Sequence, residues 1–150
     1  MMYEYRRLRA DDLPLMQGLL HVFAHAFEEP DTFFSAPPRE SYLRQLLGRD
    51  NFIALAALQE NRVVGGLTAY VLEKYEQERS EIYIYDLAVA EAHRRKGIAT
   101  GLIRRLQELA RSFHAWVIFV QADPPDEPAI RLYASLGTRE DVHHFDIPVT

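Results

Sequence analysis

Arg94-Arg95-Lys96-Gly97-Ile98-Ala99 is the stretch whose residue types and spacing are best suited to chemistry. It follows an apolar run, Ile82 to Val89, and opens a long amphipathic pattern near Gly97. A basic, glycine-containing turn between a strand and a helix is suited to hold phosphate. The first backbone N–H groups of a helix have no partner inside it, and the macrodipole places partial positive charge there. A pyrophosphate fits that end directly. Gly97 lets the backbone come close, because no Cβ stands in the way.

Several chemistries are excluded by composition. The chain has no cysteine among its 150 residues. Disulfides, thiolate metal sites and a cysteine nucleophile are therefore absent, so group transfer must be direct or use another residue. The net charge of −5 argues against nucleic acid as a partner, which usually needs a basic face. It is compatible with a cationic ligand, and equally with ordinary solubility charge. No run approaches the ~20 apolar residues that span a bilayer, and Met1 to Leu8 carries no apolar signal core. No membrane contact and a cytoplasmic location are expected by default. His21, His25 and His93 show no metal-ligand spacing, so no metal is expected.

The elements that must position the turn are legible. Tyr3 to Leu8 alternates as a strand, and Asp11 and Asp12 can cap a helix carrying Leu13, Met16, Leu19, Leu20, Phe23 and Phe27. That helix fails near Glu28-Glu29-Pro30. Glu28 to Pro38 reads as a loop, and Pro38 to Leu47 as a second helix with Gly48 past its end. Phe52 to Leu58 and Arg62 to Leu72 form a hairpin around Gln59-Glu60-Asn61. Glu73 to Ser80 is loop-like. Glu81 to Val89 is a strand, with Tyr83 and Tyr85 on one face and Ile82 and Ile84 on the other. The next helix carries Ile98, Leu102, Leu106, Leu109 and Phe113 on one stripe. Trp116 to Val120 reads as a strand buried on both faces. Pro128 to Leu136 is a short helix stopped by Gly137, and His143 to Ile147 is a last strand. No repeat or linker interrupts the chain, so residues 1–150 are expected to be one mixed α/β (α+β) domain. A helix joins the strands at 82–89 and 116–120, which should therefore run parallel.

With these elements in order, the chain resembles the GNAT superfamily of acetyl-CoA-dependent N-acetyltransferases. Its first signature, Gln/Arg-x-x-Gly-x-Gly/Ala after a strand and opening a helix, matches Arg94 to Ala99. Its second, a short helix with a tyrosine before a glycine, matches Ala129 to Gly137 with Tyr133. The resemblance implies a central, mostly antiparallel mixed sheet with one splayed parallel strand pair, flanked by helices. It implies acetyl-CoA, leaving as CoA, with its pyrophosphate on the backbone of Arg94, Arg95, Lys96, Gly97, Ile98 and Ala99. Leu87, Ala88 and Val89 would pair with the pantetheine arm like an added strand, with Ala88 small enough to leave room. Tyr133 would protonate the departing thiolate, since a phenol near pH 10 holds its proton at neutral pH.

A closer resemblance lies in Ser80 to Val89, Val120-Gln121-Ala122-Asp123 and His144-Phe145-Asp146-Ile147. These are similar to the type I aminoglycoside 3-N-acetyltransferases, over about Phe52 to Ile147. Those resistance enzymes acetylate the 3-amino group of the 2-deoxystreptamine ring. The implied partner is a cationic small molecule. The resemblance also allows a homodimer.

Aminoglycosides are polycations, and carboxylates give charge-assisted hydrogen bonds to ammonium groups. Asp123 ends the strand beside the cleft and is the favoured candidate. Asp126 and Glu127 follow in the loop, where they could instead only stabilise the helix start. Glu28, Glu29 and Asp31 lie in the early loop, which the resemblance implies borders the acceptor site, Glu29 being the least favoured of all. Glu81 and Asp86 lie on the central strand, and His144 and Asp146 on the last. About half of these acids should be ordinary solvated surface groups. The acceptor amine must lose a proton before attack, and Glu81, Asp86, Asp123 or His144 could take it. His144 could equally be a satisfied sheet histidine, and His143 faces the opposite way.

Two other readings fit the same residues. One is a GNAT enzyme acting on a polyamine, a protein N-terminus or a lysine. The other is a non-catalytic acyl-CoA-binding module, against which Tyr133 argues, because a pure binder needs no acid beside the thiol.

Overall fold

The structure is a computed structural model describing residues 2–150. Its centre is a five-stranded sheet whose spatial order follows the chain. The strands are β1 (Glu4–Arg7), β2 (Phe52–Gln59), β3 (Arg62–Glu73), β4 (Ser80–Val89) and β5 (Ala115–Val120). Neighbours from β1 to β4 pair antiparallel, and β4 pairs parallel with β5. The helices are α1 (Leu13–Ala26), α2 (Pro30–Phe34), α3 (Glu40–Leu47), α4 (Ile98–Ser112) and α5 (Glu127–Leu136).

Strand β2 shows why the sheet is covered on both sides. Phe52, Ala54, Ala56 and Leu58 enter one cluster with Leu13, Met16, Leu19 and Phe23 of α1 and Leu43 and Leu47 of α3. Ile53, Leu55 and Ala57 enter the other with Ile98, Leu102, Ile103 and Leu106 of α4. A strand with helices on both faces must be apolar where they cover it, and this one is apolar and buried from Phe52 to Leu58. The β2–β3 turn places Glu60 at φ 50° and Asn61 at φ 65°, the left-handed pair that matches strand twist in a two-residue hairpin.

Two features of β4 matter for the site. Thr68 of β3 faces Asp86 and Ala69 faces Ile84, so Tyr85 is an extra residue, a β-bulge. Leu67 and Ala69 belong to the α4-side cluster. Thr68 and its partner Asp86 therefore share the α1 side. In addition, the pairing with β5 covers only Ser80–Ile84, although β4 continues to Val89. Strand β5 ends at Val120, opposite Ile84, so β4 runs on alone to Val89; this opening, the fork, fits the splayed parallel pair that the resemblance implies.

The structure differs from the sequence reading in four places. Residues 30–34 form the short helix α2 inside the expected loop, and the second helix begins at Glu40, two residues after Pro38. Strand β5 is not buried on both faces; it is the sheet's edge, and Trp116 is 55% exposed. The expected strand at 143–147 does not form, because no strand of the same chain lies beside it to share a hydrogen-bond ladder.

Candidate active site

The phosphate turn is built as its residue types require. After Val89 the chain makes one 3₁₀ turn at Glu91–His93, and Arg94 donates from Nε to the Val89 carbonyl at 3.1 Å, tying the turn to the strand end. Arg95 at φ 63° and Gly97 at φ 78° are both left-handed. Gly97 is the N-cap of α4, with no side-chain cap and no acidic residue in the first turn. The leading amides of a 15-residue helix are thus offered outward without a competing carboxylate. No atom stands within 4 Å of where a Cβ would project from Gly97. That open space, lined by backbone donors, suits a pyrophosphate.

The fork supplies the second half. Leu87, Ala88 and Val89 pair with Leu67, Gly66 and Gly65 of β3 on one side only. Their other edge has no strand partner past the point where β5 ends, although the Val89 carbonyl accepts from Arg94. An extended amide chain can add there as a strand does. The room comes from the ending of β5, not from Ala88, which is buried in the cluster beneath α1. At the crotch of the fork, Tyr83 stacks on Phe119, and its hydroxyl meets Gln121 Oε1 at 3.0 Å.

The candidate acids separate by place. Asp86 is half-buried, and desolvation pushes its carboxyl above the usual range, with the charge of Glu29 adding to the shift. Glu29, the least favoured of the candidate acids, is thus the one whose charge reaches Asp86. It stands there because the chain kinks at Glu28, φ 53°, before α2; Glu28-Glu29-Pro30 marked the break but not its direction. Glu28 and Asp31 are exposed on the same kink. Glu81 lies at the far end of β4, bonded to Trp116 Nε1 at 3.1 Å and 3.8 Å from Lys74 Nζ. Asp123 is exposed in the loop after β5. Asp126 caps α5, accepting from the Ala129 amide at 3.3 Å, and Glu127 sits in that helix's first turn. His144 and Asp146 pair with each other at 2.9 Å on the exposed C-terminal segment.

Tyr133 projects from α5 against the α4-side cluster. Burial pushes its phenol up to about 12, with Asp126 adding. Such a phenol stays protonated across the physiological range. Full transfer to a thiolate, whose conjugate acid lies nearer 8.5, would run uphill. A phenol in that state can donate a hydrogen bond to developing negative charge. A cavity of about 310 Å³ between α1 and the turn is lined by His21, His25, Val63, Ala90, Glu91 and Arg94. No helix is long and apolar enough to cross a membrane among the described residues.

Known proteins share this arrangement. Residues 17–138 match the Acetyltransferase (GNAT) family. Among curated proteins nothing matches. A solved aminoglycoside acetyltransferase, HMB0005, from an uncultured soil metagenomic sample, is 56% identical with a TM-score of 0.97, and the match covers 100% of both chains. A second from such a sample, meta-AAC0020, solved with sisomicin, is 36% identical with a TM-score of 0.91, over 99% of this chain and 97% of that one. AAC(6')-Iy, solved with the bisubstrate analog CoA-S-monomethyl-acetylneamine, is 15% identical with a TM-score of 0.77, over 100% and 99%, a likeness of fold. The phosphate turn, the fork and the family match agree: the chain belongs to the GNAT family of acetyltransferases, whose acetyl donor is acetyl-CoA.

Proposed function

We propose that this enzyme acetylates aminoglycosides, at the 3-amino group of the 2-deoxystreptamine ring, and so confers resistance. The observation that carries the reading is the match along the whole chain, at 56% identity, to an aminoglycoside acetyltransferase. The similarity of Ser80 to Val89 and His144 to Ile147 to the type I 3-N-acetyltransferases supports the position. The acids on the α1 side of the fork suit a polycation. The reading keeps the cytoplasmic setting expected from the sequence, where the donor is made.

In this reading the amides of Arg94 to Ala99 hold the pyrophosphate, and Leu87 to Val89 align the pantetheine arm along the fork. The thioester then lies near the bulge. Asp86 takes the proton from the acceptor ammonium, because a half-buried carboxyl of raised pKa is a stronger base than a solvated one. The freed amine attacks the thioester carbonyl carbon, the C–N bond forms, the C–S bond breaks, and the proton lost by the attacking nitrogen goes to the CoA thiolate, which leaves as the thiol. Tyr133 donates its hydroxyl hydrogen bond to the departing sulfur. Glu29, with Glu28, Asp31 and Asp123, holds other ammonium groups of the substrate. Glu81 and Asp126 act through structure, one tied to Trp116 and the other to α5.

The test is thiol release from acetyl-CoA with sisomicin, gentamicin and kanamycin against spermidine and a peptide amine. Aminoglycosides should exceed the others in kcat/KM by at least ~10²-fold, within the ~10⁴–10⁵ that a site with polar groups left unpaired can discriminate. Faster release with spermidine or the peptide would overturn the substrate class. Acetyl-CoA binding without release for any amine would mark a non-catalytic module.

A further inference from the structure

We propose that Tyr70, Tyr83 and Tyr85 form an aromatic floor beside Asp86 that holds the face of an amino-sugar ring, and that these rings select a cyclic polyamine over a linear one. The inference rests on the aminoglycoside reading and adds to it the groups that recognise a ring. The first observation is placement. Ala69 and Val71 of β3 and Ile82 and Ile84 of β4 belong to the α4-side cluster, so Tyr70 and its partner Tyr83 stand on the α1 side. Tyr85, the extra residue of the bulge, joins them. Its ring centroid lies 6.0 Å from Tyr70 and 5.8 Å from Tyr83, edge-on to both. Two of the three rings are held from a further side, Tyr70 by Phe52 at 5.3 Å and Tyr83 by its stack on Phe119.

The second observation is that the helices on this side leave the rings uncovered. Tyr70 is 38% and Tyr85 62% exposed, and Tyr42 of α3, at the margin, is 57% exposed. The rings are ordered by one another and open to solvent, which is the state of a surface prepared for a ligand. Apolar surface left wet is unfavourable by roughly 25 cal/mol for each Å², so a ligand that covers these rings gains by it.

The third observation is the charge around them. Burial pushes the Tyr70 hydroxyl up, with Tyr42, Tyr85 and Asp86 adding to the shift. Burial does the same for Tyr83, with Tyr85 and Asp86 adding. The phenols therefore stay neutral near pH 7 and keep their π faces, and Asp86 stands within electrostatic reach of both. Glu29 bears on Asp86 in turn. Rings beside carboxylates call for a ligand that carries C–H faces and ammonium groups together. An amino-sugar ring has both: its flat face covers the tyrosines, while its ammonium groups reach the acids and the negative faces of the rings. A linear polyamine has the charges but no ring face.

Calorimetric titration of the CoA-saturated protein with sisomicin and with spermidine tests the proposal, beside steady-state kinetics and sedimentation velocity. Tyr85→Ala should weaken sisomicin roughly five- to thirtyfold, the effect of losing one cation–π contact in a partly desolvated site. Spermidine should lose less than half as many fold, and the kinetic loss should fall on KM for sisomicin rather than on KM for acetyl-CoA. Tyr85→Phe keeps the π face and should restore affinity to within about twofold of wild type. Tyr85 is exposed, so both variants should fold; Tyr70→Leu serves as the second removal of a ring. A wild type that acetylates sisomicin while Tyr85→Ala and Tyr70→Leu bind it as tightly overturns this inference and leaves the proposed function standing. Equal losses for spermidine overturn the selection of a ring, and a Tyr85→Phe as weak as Tyr85→Ala assigns the contact to the hydroxyl and overturns the aromatic floor. A change of oligomeric state in Tyr85→Ala with sisomicin affinity unchanged makes the face a contact between copies, which overturns it as well. A wild type that neither binds nor acetylates sisomicin sinks the proposed function and this inference with it.

Discussion

Tyr83 of β4 lies flat on Phe119 of β5, ring centroids 4.8 Å apart and planes 5° from parallel, beside the last pair that the two strands share. The stack holds the crotch of the fork closed, so the opening starts beyond Ile84. Phe119→Leu keeps apolar bulk and removes the ring pairing, which contributes about 0.5–1.5 kcal/mol beyond area burial. Urea unfolding should show that loss, together with a raised KM for acetyl-CoA. Equal stability and equal KM would remove the stack from the account.

Asp86 should trade stability for activity. Its folded pKa is raised, by burial first and Glu29 second. The protonated form is thus the one favoured by folding. The stability from this group is fully present below the unfolded pKa and is lost as pH rises through the folded value. Near neutral pH the ionised carboxylate is a strain on the fold. Asp86→Asn should leave thermal stability equal or higher at neutral pH, while kcat falls ~10²–10⁴-fold. Glu29→Gln removes one of the two causes, so the acidic limb of the kcat/KM profile should move to lower pH. A profile that does not move would take Glu29 out of the fork or Asp86 out of the base's role.

Gly97→Val should block acetyl-CoA binding. Gly97 sits at φ 78°, which costs an L-residue roughly 1–2 kcal/mol. The open space before it would fill with the side chain, whereas the rest of the fold is untouched, since nothing lies within 4 Å there. Calorimetric titration of a folded Gly97→Val protein that returns unchanged affinity would contradict the phosphate turn.

Tyr133→Phe should keep the fold and the affinity for acetyl-CoA and lower turnover. The ring still packs against the α4-side cluster, and only the hydroxyl is lost. Removing one donor to developing charge typically costs about 10²–10³ in kcat. With its phenol held at about 12, Tyr133 should add no break to the wild-type rate profile below pH ~11. A kcat for Tyr133→Phe within about twofold of wild type would assign sulfur's hydrogen bond to another group.

The turn was the most legible part of the site, because Gly97 and its flanking cations carry a chemical requirement that local sequence alone expresses. Helix α4 and strand β2 were legible for a similar reason: one stripe, and one run apolar at every position, each tied to a definite packing. What local pattern could not express was placement. The bulge at Tyr85 shifts Asp86 to the α1 side, and strict alternation along β4 gives no sign of it. The left-handed turn at Glu28 brings Glu29 to bear on Asp86 across a long separation in sequence. Asp126 reads either as a substrate acid or as a group that stabilises the start of α5, and the hydrogen bond it accepts from the Ala129 amide is the second of these. The apolar residues around Phe145 read as a strand, yet strand is a property of pairs, and the chain holds no partner for it.

The central claim is acetylation of an aminoglycoside at one amine, and the product itself tests it most directly. The enzyme is incubated with acetyl-CoA and sisomicin, and the product is analysed by mass and by nuclear magnetic resonance. One added acetyl group is expected, on the 3-amino nitrogen of the 2-deoxystreptamine ring. An acetyl group on the 6′ nitrogen would contradict the position, and no acetylated drug, with thiol release confined to other amines, would contradict the function.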